Sequence, residues 1–191
     1  EASVGLIKLM NPDVVLLATG GTPRVPAFEG LELPHVSNYR DVKVENSIFT
    51  GQKIAVIGSG MVCHSTSRRL SEQGNDVTLI EILTESARKI SPQTRMKLME
   101  KLKTVGIQVI TGHSVSEITA EGVILKEDKT GETKAIEVDQ IVIAMGVQAY
   151  NPLEQYLREI MKNVYVIGDA AGNTSLADAT REGFELACAL G

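Results

Sequence analysis

The chain has 191 residues, 43% of them hydrophobic and 23% charged, with a net charge of −5. That length suits one large domain or two small ones, and the acidic balance argues against nucleic acid or an anionic membrane as the main partner. No apolar run approaches the roughly 20 residues that span a bilayer, no basic-then-apolar signal segment opens the chain, and Cys63 and Cys188 lie too far apart in sequence for a C-x-x-C pair. A disulfide framework is therefore not expected, and a reducing cytoplasm is the default location.

Residues 1–10 are weakly patterned and run straight into a buried-type strand, so the N-terminus reads as cut. Asn11-Pro12-Asp13 predicts a turn, and residues 14–18 predict a buried strand that ends at Thr19-Gly20-Gly21. Prolines at 23 and 26 then enforce an extended connection. Residues 31–36 predict a short strand and 38–44 one or two helical turns. The polar stretch 46–51 reads as a crossing between domains.

The most informative stretch starts at Lys53. Ile54-Ala55-Val56-Ile57 has no polar face, as in a parallel strand buried on both sides. It stops at Gly58-Ser59-Gly60, and a helix is predicted at once over 61–73, with Met61, Val62 and Leu70 inward and Gly74-Asn75 as its left-handed cap. The next strand, 77–81, ends in Glu81, about 20 positions after the glycines, where a dinucleotide ribose needs a hydroxyl acceptor. Gly58, Ser59, Gly60, Met61 and Val62 would offer backbone amides to a pyrophosphate. Glu81 would repel a 2′-phosphate and favour NADH, although Arg88 and Lys89 nearby could tolerate one. The third glycine of the fingerprint is replaced by Cys63. A helix N-terminus lowers a thiol pKa, but a small buried residue is the plainer reading. His64 reads as packing or helix surface.

Ser91-Pro92 opens another helix with Leu98, Met99, Leu102 and Val105 on one face. A strand at 107–110 completes a βαβαβ order with right-handed crossovers. Short strands at 115–120, 123–127 and 135–138, joined by glycine turns, predict an antiparallel meander. A buried strand at 140–144 ends at Met145-Gly146. The chain crosses back over 146–152. A helix at 153–161, a strand at 164–167 stopping at Gly168-Asp169, and a helix at 174–190 complete it. In that helix Leu176, Ala179, Gly183, Leu186, Ala187 and Leu190 are expected to face the core. Residues 14–20 and 141–146 share an apolar strand followed by Ala-x-Gly, which reflects either two related domains or only how buried parallel strands end.

Three signatures thus stand in order: Ala18-Thr19-Gly20, Gly58-x-Gly60 with Glu81, and Gly168-Asp169. In these the chain resembles, over nearly its whole length, the two-dinucleotide-domain flavoproteins of the pyridine nucleotide–disulfide oxidoreductase superfamily. The resemblance implies a Rossmann-like three-layer α/β domain binding NAD(H) over residues 50–146, with a parallel sheet and β-meander, inserted in an incomplete FAD-binding domain formed by 1–49 and 147–191. The short segment 147–167 and the tail Leu176-Ala177-Asp178-Ala179-Thr180-Arg181-Glu182-Gly183-Phe184 are similar to the C-terminal region of multidomain 2,4-dienoyl-CoA reductases, enoate reductases and trimethylamine dehydrogenases. It further implies that Gly146 leaves room for the nicotinamide, that Ala18, Thr19 and Gly20 lie along FAD, that Gly168 and Asp169 meet the FAD ribitol, and that the start of the last helix, near Ser175 to Asp178, directs its dipole at the flavin pyrimidine. The family's first FAD fingerprint has no counterpart before Gly20, and its redox disulfide is absent. A barrel carrying FMN and an iron–sulfur cluster would lie outside this chain, since two distant cysteines cannot hold such a cluster.

The function implied is that of the nucleotide-binding part of an NADH:flavin oxidoreductase, accepting NADH and passing hydride to FAD in the full-length enzyme, with the isolated chain lacking turnover. Hydride transfer needs proximity and ring stacking more than a protein acid or base, so no catalytic residue is assigned. His35 and His113 share no ligand spacing, and no metal is assigned. Two departures from the family stand near the expected meeting point of nicotinamide and flavin: Ser65, where many relatives have Glu, and Ala149-Tyr150, where Pro-Asn is common. They leave open a non-catalytic ADP-binding module of the trimethylamine dehydrogenase type. The expected partners are small-molecule dinucleotides and the missing FAD-domain half and barrel, or a second copy covering exposed core.

Overall fold

The computed structural model of the chain describes residues 1–44, 49–82, 91–172 and 175–190. In chain order the elements are α1 (Val4–Met10), β1 (Val15–Leu17), β2 (Gly21–Pro23), β3 (Val36–Asn38), α2 (Tyr39–Val44), β4 (Lys53–Gly58), α3 (Gly60–Glu72), β5 (Asp76–Glu81), α4 (Pro92–Thr104), β6 (Gln108–Thr111), β7 (His113–Thr119), β8 (Gly122–Glu127), β9 (Thr133–Glu137), β10 (Gln140–Ala144), β11 (Val147–Ala149), α5 (Glu154–Ile160), β12 (Val164–Val166), a 3₁₀ turn (Gly168–Ala171) and α6 (Leu176–Leu190). Contacts divide the chain into two compact units: residues 1–22 with 147–191, and residues 23–146 between them in sequence.

The inserted unit is built on a five-stranded sheet of order β3-β10-β4-β5-β6, parallel at every pairing. Ile54, Ala55, Val56 and Ile57 are all inaccessible to solvent, the burial on both faces that a continuous apolar run implies. One face is covered by α3, which buries Cys63, His64, Thr66, Ser67 and Leu70. On the other face, Ala55, Ile57, Ile80, Ile141 and Ile143 share a core with Ile118, Val123 and Leu125 of the antiparallel β7-β8-β9 meander. Each fully buried aliphatic side chain contributes about 1.5–3 kcal/mol relative to exposure, so this double-sided core holds helix layer, sheet and meander together.

Helix ends are set by local chemistry. The Ser91 hydroxyl accepts the Thr94 N–H at 3.3 Å, with Pro92 in the first turn of α4. Asn75, after α3, donates to the carbonyls of Phe49 and Leu70, each at 2.8 Å, and accepts the Gln52 N–H at 3.2 Å. That amide ties the end of α3 to the start of β4.

Four sequence expectations in this unit are corrected, the first being Met61, expected inward but 59% exposed at the start of α3. Residues 31–35 form turns, and the strand lies at Val36–Asn38, because Phe28, Leu31 and Leu33 pack against the meander core instead. The Ile118 N–H donates to the Glu29 carbonyl at 3.0 Å, anchoring this segment to β7. Residues 23–44 therefore belong to the inserted unit, and the first division by contacts falls after Thr22 and not at 49/50; part of the expected crossing, 46–48, lies outside the described residues. On α4, Leu102 is buried and Leu98 and Met99 are half-buried, but Val105 lies beyond the helix and is 42% exposed.

In the other unit β1 and β12 pair in parallel, Leu17 opposite Val166, and β2 pairs with β11. Leu17, Leu157 and Val164 form a small core, flanked by Val4, Ile7, Leu153 and Met161. The segment read as patternless is α1. Its N-cap Ser3 accepts the Leu6 N–H at 3.2 Å, and Asn11, in left-handed backbone (φ 46°), closes it. The expected inward stripe of α6 is only partly covered: Ala179, Gly183 and Leu186 are half-buried, but Ala187 and Leu190 are exposed and Leu176 is 86% exposed. The sheet in this unit is two strands wide, too narrow to cover the whole stripe.

Candidate nucleotide-binding sites

In the inserted unit the expected residues gather at the carboxyl edge of the sheet. Gly58 ends β4 with Ala144 of β10 as its partner on one side and Glu81 of β5 on the other. A Cβ on Gly58 would lie 2.2 Å from the Ala144 oxygen and 2.5 Å from its carbonyl carbon, and φ is +152°. Only glycine lets these strand ends come so close. The Ile82 N–H donates to the Gly58 carbonyl at 3.1 Å, which keeps Glu81 beside the bend. Ser59 follows in extended backbone, and its hydroxyl does not cap α3. No acidic residue occupies the first turn of α3, so the amides of Gly60, Met61 and Val62 keep the positive end of the helix dipole. Gly146 lies two residues past β10, and its carbonyl accepts the Arg24 N–H at 3.0 Å. Gly58, Glu81 and Gly146 thus stand at the ends of three adjacent strands, where open α/β sheets have their ligand crevice.

Glu81 is only 2% exposed, and Cys63 is inaccessible. Burial, and secondarily the charge of Glu81, push the Cys63 thiol far above the ordinary thiol range. The helix-terminus effect raised by the sequence is outweighed, and Cys63 is an inert packing residue. His64, 4% exposed, is likewise interior. The exposed Ser65 hydroxyl donates to the Val62 carbonyl at 3.0 Å. Arg88 and Lys89 lie outside the described residues.

In the other unit Ala18, Gly20, Gly168 and Asp169 line one cleft of about 530 Å³ together with Ile167, Ser175, Leu176 and Ala179, a volume within the usual range for small-molecule sites. Thr19 does not line it. Its hydroxyl donates to the Tyr150 carbonyl, and the Tyr150 N–H donates to the Gly20 carbonyl at 3.0 Å. The tether from the Ala149-Tyr150 position uses Tyr150 backbone groups alone. Ser175 caps α6 by accepting the Asp178 N–H at 3.0 Å, and Asp178 pairs with Arg181 at 2.8 Å.

Two residues that hold the 3₁₀ turn beside this cleft were missed as contributors. Glu182 accepts the Gly168 N–H through Oε2 at 2.8 Å. Asn151 donates to the Ala170 carbonyl at 3.4 Å and to Glu154 at 2.5 Å. Hydrogen bonds from Asn151 and then Arg158 hold the Glu154 carboxyl below the usual carboxylate range. No spacing rule links Glu182 to a turn so far back in the chain, and only its place in the tail motif marked it. Among the described residues no three His, Cys, Asp or Glu side chains are grouped to hold a metal ion, and no helix is long and apolar enough to cross a membrane.

A parallel sheet with helices on one face, a meander on the other and glycines at its carboxyl edge defines a Rossmann-like dinucleotide-binding fold. The chain belongs to the pyridine nucleotide-disulphide oxidoreductase family, whose profile matches residues 8–187, a family of FAD- and NAD(P)H-dependent oxidoreductases. It is 33% identical over 190 residues to an NADH oxidase of Thermoanaerobacter brockii, covering 97% of this chain and 29% of that protein. It is 31% identical over 189 residues to a cinnamate reductase of Clostridium sporogenes, covering 97% and 28%. A solved 2-naphthoyl-CoA reductase, in complex with 2-naphthoyl-CoA, superposes with a TM-score of 0.83 at 30% identity over 96% of this chain and 28% of its own. Thioredoxin reductase from T. acidophilum, at 23% identity and a TM-score of 0.70 over 89% of this chain and 62% of its own, shares the fold. The chain spans less than a third of the length of these curated relatives.

Proposed function

We propose that this chain is the NAD(H)-binding domain and part of the FAD-binding domain of a longer flavin-dependent reductase, of the 2,4-dienoyl-CoA or enoate reductase type. The observation that carries the reading is Gly58, held between Ala144 and Glu81 at the mouth of α3. In it the amides from Ser59 to Val62 bind the pyrophosphate, Glu81 accepts from the adenosine ribose and Gly146 leaves space at the nicotinamide end. Ala18, Gly20, Gly168 and Asp169 form the flavin side of the second cleft, and Thr19 beside them holds the strand end to the Tyr150 carbonyl. When bound, the two cofactors supply hydride transfer, and the protein's part is orientation and exclusion of water. The half-covered stripe of α6 and the two-stranded β1–β12 sheet fit an FAD-binding domain completed by further strands of the same protein. FMN and an iron–sulfur cluster belong, on this reading, to its barrel domain.

Ser65 and Ala149-Tyr150 favour a second reading, a non-catalytic module that holds ADP. Calorimetric titration with NADH, NADPH and ADP separates the two. NADH binding tighter than both NADPH and ADP is the expected result. Equal affinity for ADP and NADH supports the module, and no binding of any of the three refutes both.

A further inference from the structure

We propose that Glu182 is the positioning residue of the flavin-side cleft, holding the Gly168–Asp169 turn in place through the Gly168 amide; this rests on the flavin reading of that cleft. β12 ends in extended backbone at Ile167 (φ −136°, ψ 159°), and the 3₁₀ turn begins at Gly168 with φ +65°. The first amides of such a turn have no partner within it, and Ile167 has no side chain that can cap them. Glu182 supplies the acceptor from α6, at 2.8 Å. A carboxylate accepting a backbone N–H makes a charge-assisted bond, stronger than one between neutral groups.

The same helix face packs the turn. A Cβ on Gly168 would be 3.5 Å from the Ala179 Cβ, and Ala179 and Glu182 are three residues apart on α6, hence on one face. Ala179 lines the flavin-side cleft, whereas Glu182 lines a neighbouring cleft with Arg158, Lys162 and Glu185. Ile167 lines both. Glu182 therefore acts on the flavin-side cleft through the Gly168 backbone, setting where Asp169 is presented.

The test uses the protein at its full encoded length, with FAD affinity from flavin fluorescence and hydrogen exchange at the Gly168 amide as separate readouts. Glu182→Ala is expected to weaken FAD binding and to speed Gly168 exchange, each by about tenfold or more, the scale of a lost bond to a charged group. Glu182→Gln keeps an acceptor oxygen and is expected to restore both to within about threefold of the wild type. Glu185→Gln, in the same neighbouring cleft, is expected to change neither. Wild-type affinity and exchange in Glu182→Ala, or a Glu182→Gln protein as impaired as Glu182→Ala, overturns the positioning role. If the wild type takes up no FAD, the flavin reading fails and this role with it, and the exchange data then report only whether Glu182 holds the turn.

Discussion

Replacing Gly58 with alanine tests the geometry at the carboxyl edge most directly. The new methyl would sit 2.2 Å from the Ala144 oxygen and 2.5 Å from its carbonyl carbon, about 1 Å or more inside the ordinary contact range of about 3.5–4.0 Å. Both partners are backbone in paired strands, so no side-chain rotation relieves the clash; β4 and β10 must part. Overpacking of this kind costs about 1–3 kcal/mol. Holding a non-glycine residue in a sparsely populated backbone region adds about 1–3 kcal/mol. A loss of about 2–6 kcal/mol from a domain stability of about 5–15 kcal/mol should appear as a large fall in urea midpoint, followed by far-UV circular dichroism. Because the same strand ends frame the crevice, ADP affinity should fall by about tenfold or more where the variant still folds, the scale of one or two lost amide contacts. A stability loss below about 1 kcal/mol, the ordinary cost of a point mutation, would refute the claim that close strand approach requires glycine here.

Gly183→Ala should do the opposite. Among the described residues no atom outside the adjoining helix backbone lies within 4 Å of a Cβ there, and a glycine in a helix interior costs about 0.5–1 kcal/mol relative to alanine, so a rise in thermal midpoint is expected. Asn75→Ala removes three hydrogen bonds and should cost about 2–4 kcal/mol in urea unfolding. Cys63 keeps its proton in the folded state at pH values where the unfolded chain releases it. Stability should therefore fall as pH rises above the ordinary thiol pKa of about 8.5, at up to about 1.4 kcal/mol per unit. Denaturant titrations of the wild type and Cys63→Ala at pH 7 and pH 10 check this, and parallel behaviour of the two proteins counts against it. Glu81→Gln should lower NADH affinity by about tenfold and narrow the gap to NADPH, as read by calorimetry.

The inserted domain was legible because its strands are apolar on both faces and stop at glycines. Ile54 to Ile57 has no plausible solvent-facing register, and the helix pattern after Gly60 starts without a gap. α1 escaped notice because seven residues show fewer than two turns of periodicity, with only Val4 and Ile7 packed against its core. The strand placed at 31–36 was drawn by Leu31 and Leu33, whose side chains serve the meander. On α6 the apolar stripe was evident, but composition does not say what covers it. The buried, unreactive reading of Cys63 held, because a small residue at the third glycine position of the fingerprint packs against the sheet beneath, and that burial governs its proton. Glu182 was visible only as part of a motif, since the amide it holds belongs to a turn outside its own helix.

The Arg24–Gly146 hydrogen bond pins the two ends of the insert together, and this bears on assembly order. β1 must wait for β12, made roughly 150 residues later, and closing a loop that long is entropically more costly than closing a short one. Once the intervening domain has folded, its joined ends act as a clasp and shorten the flexible path to a few tens of residues, which lowers that penalty by about 1.5 kcal/mol. Folding of the insert is thus expected to precede and speed that of the unit whose two halves flank it in sequence, and a variant that weakens it, such as Gly58→Ala, should delay pairing of β1 with β12 without touching either strand.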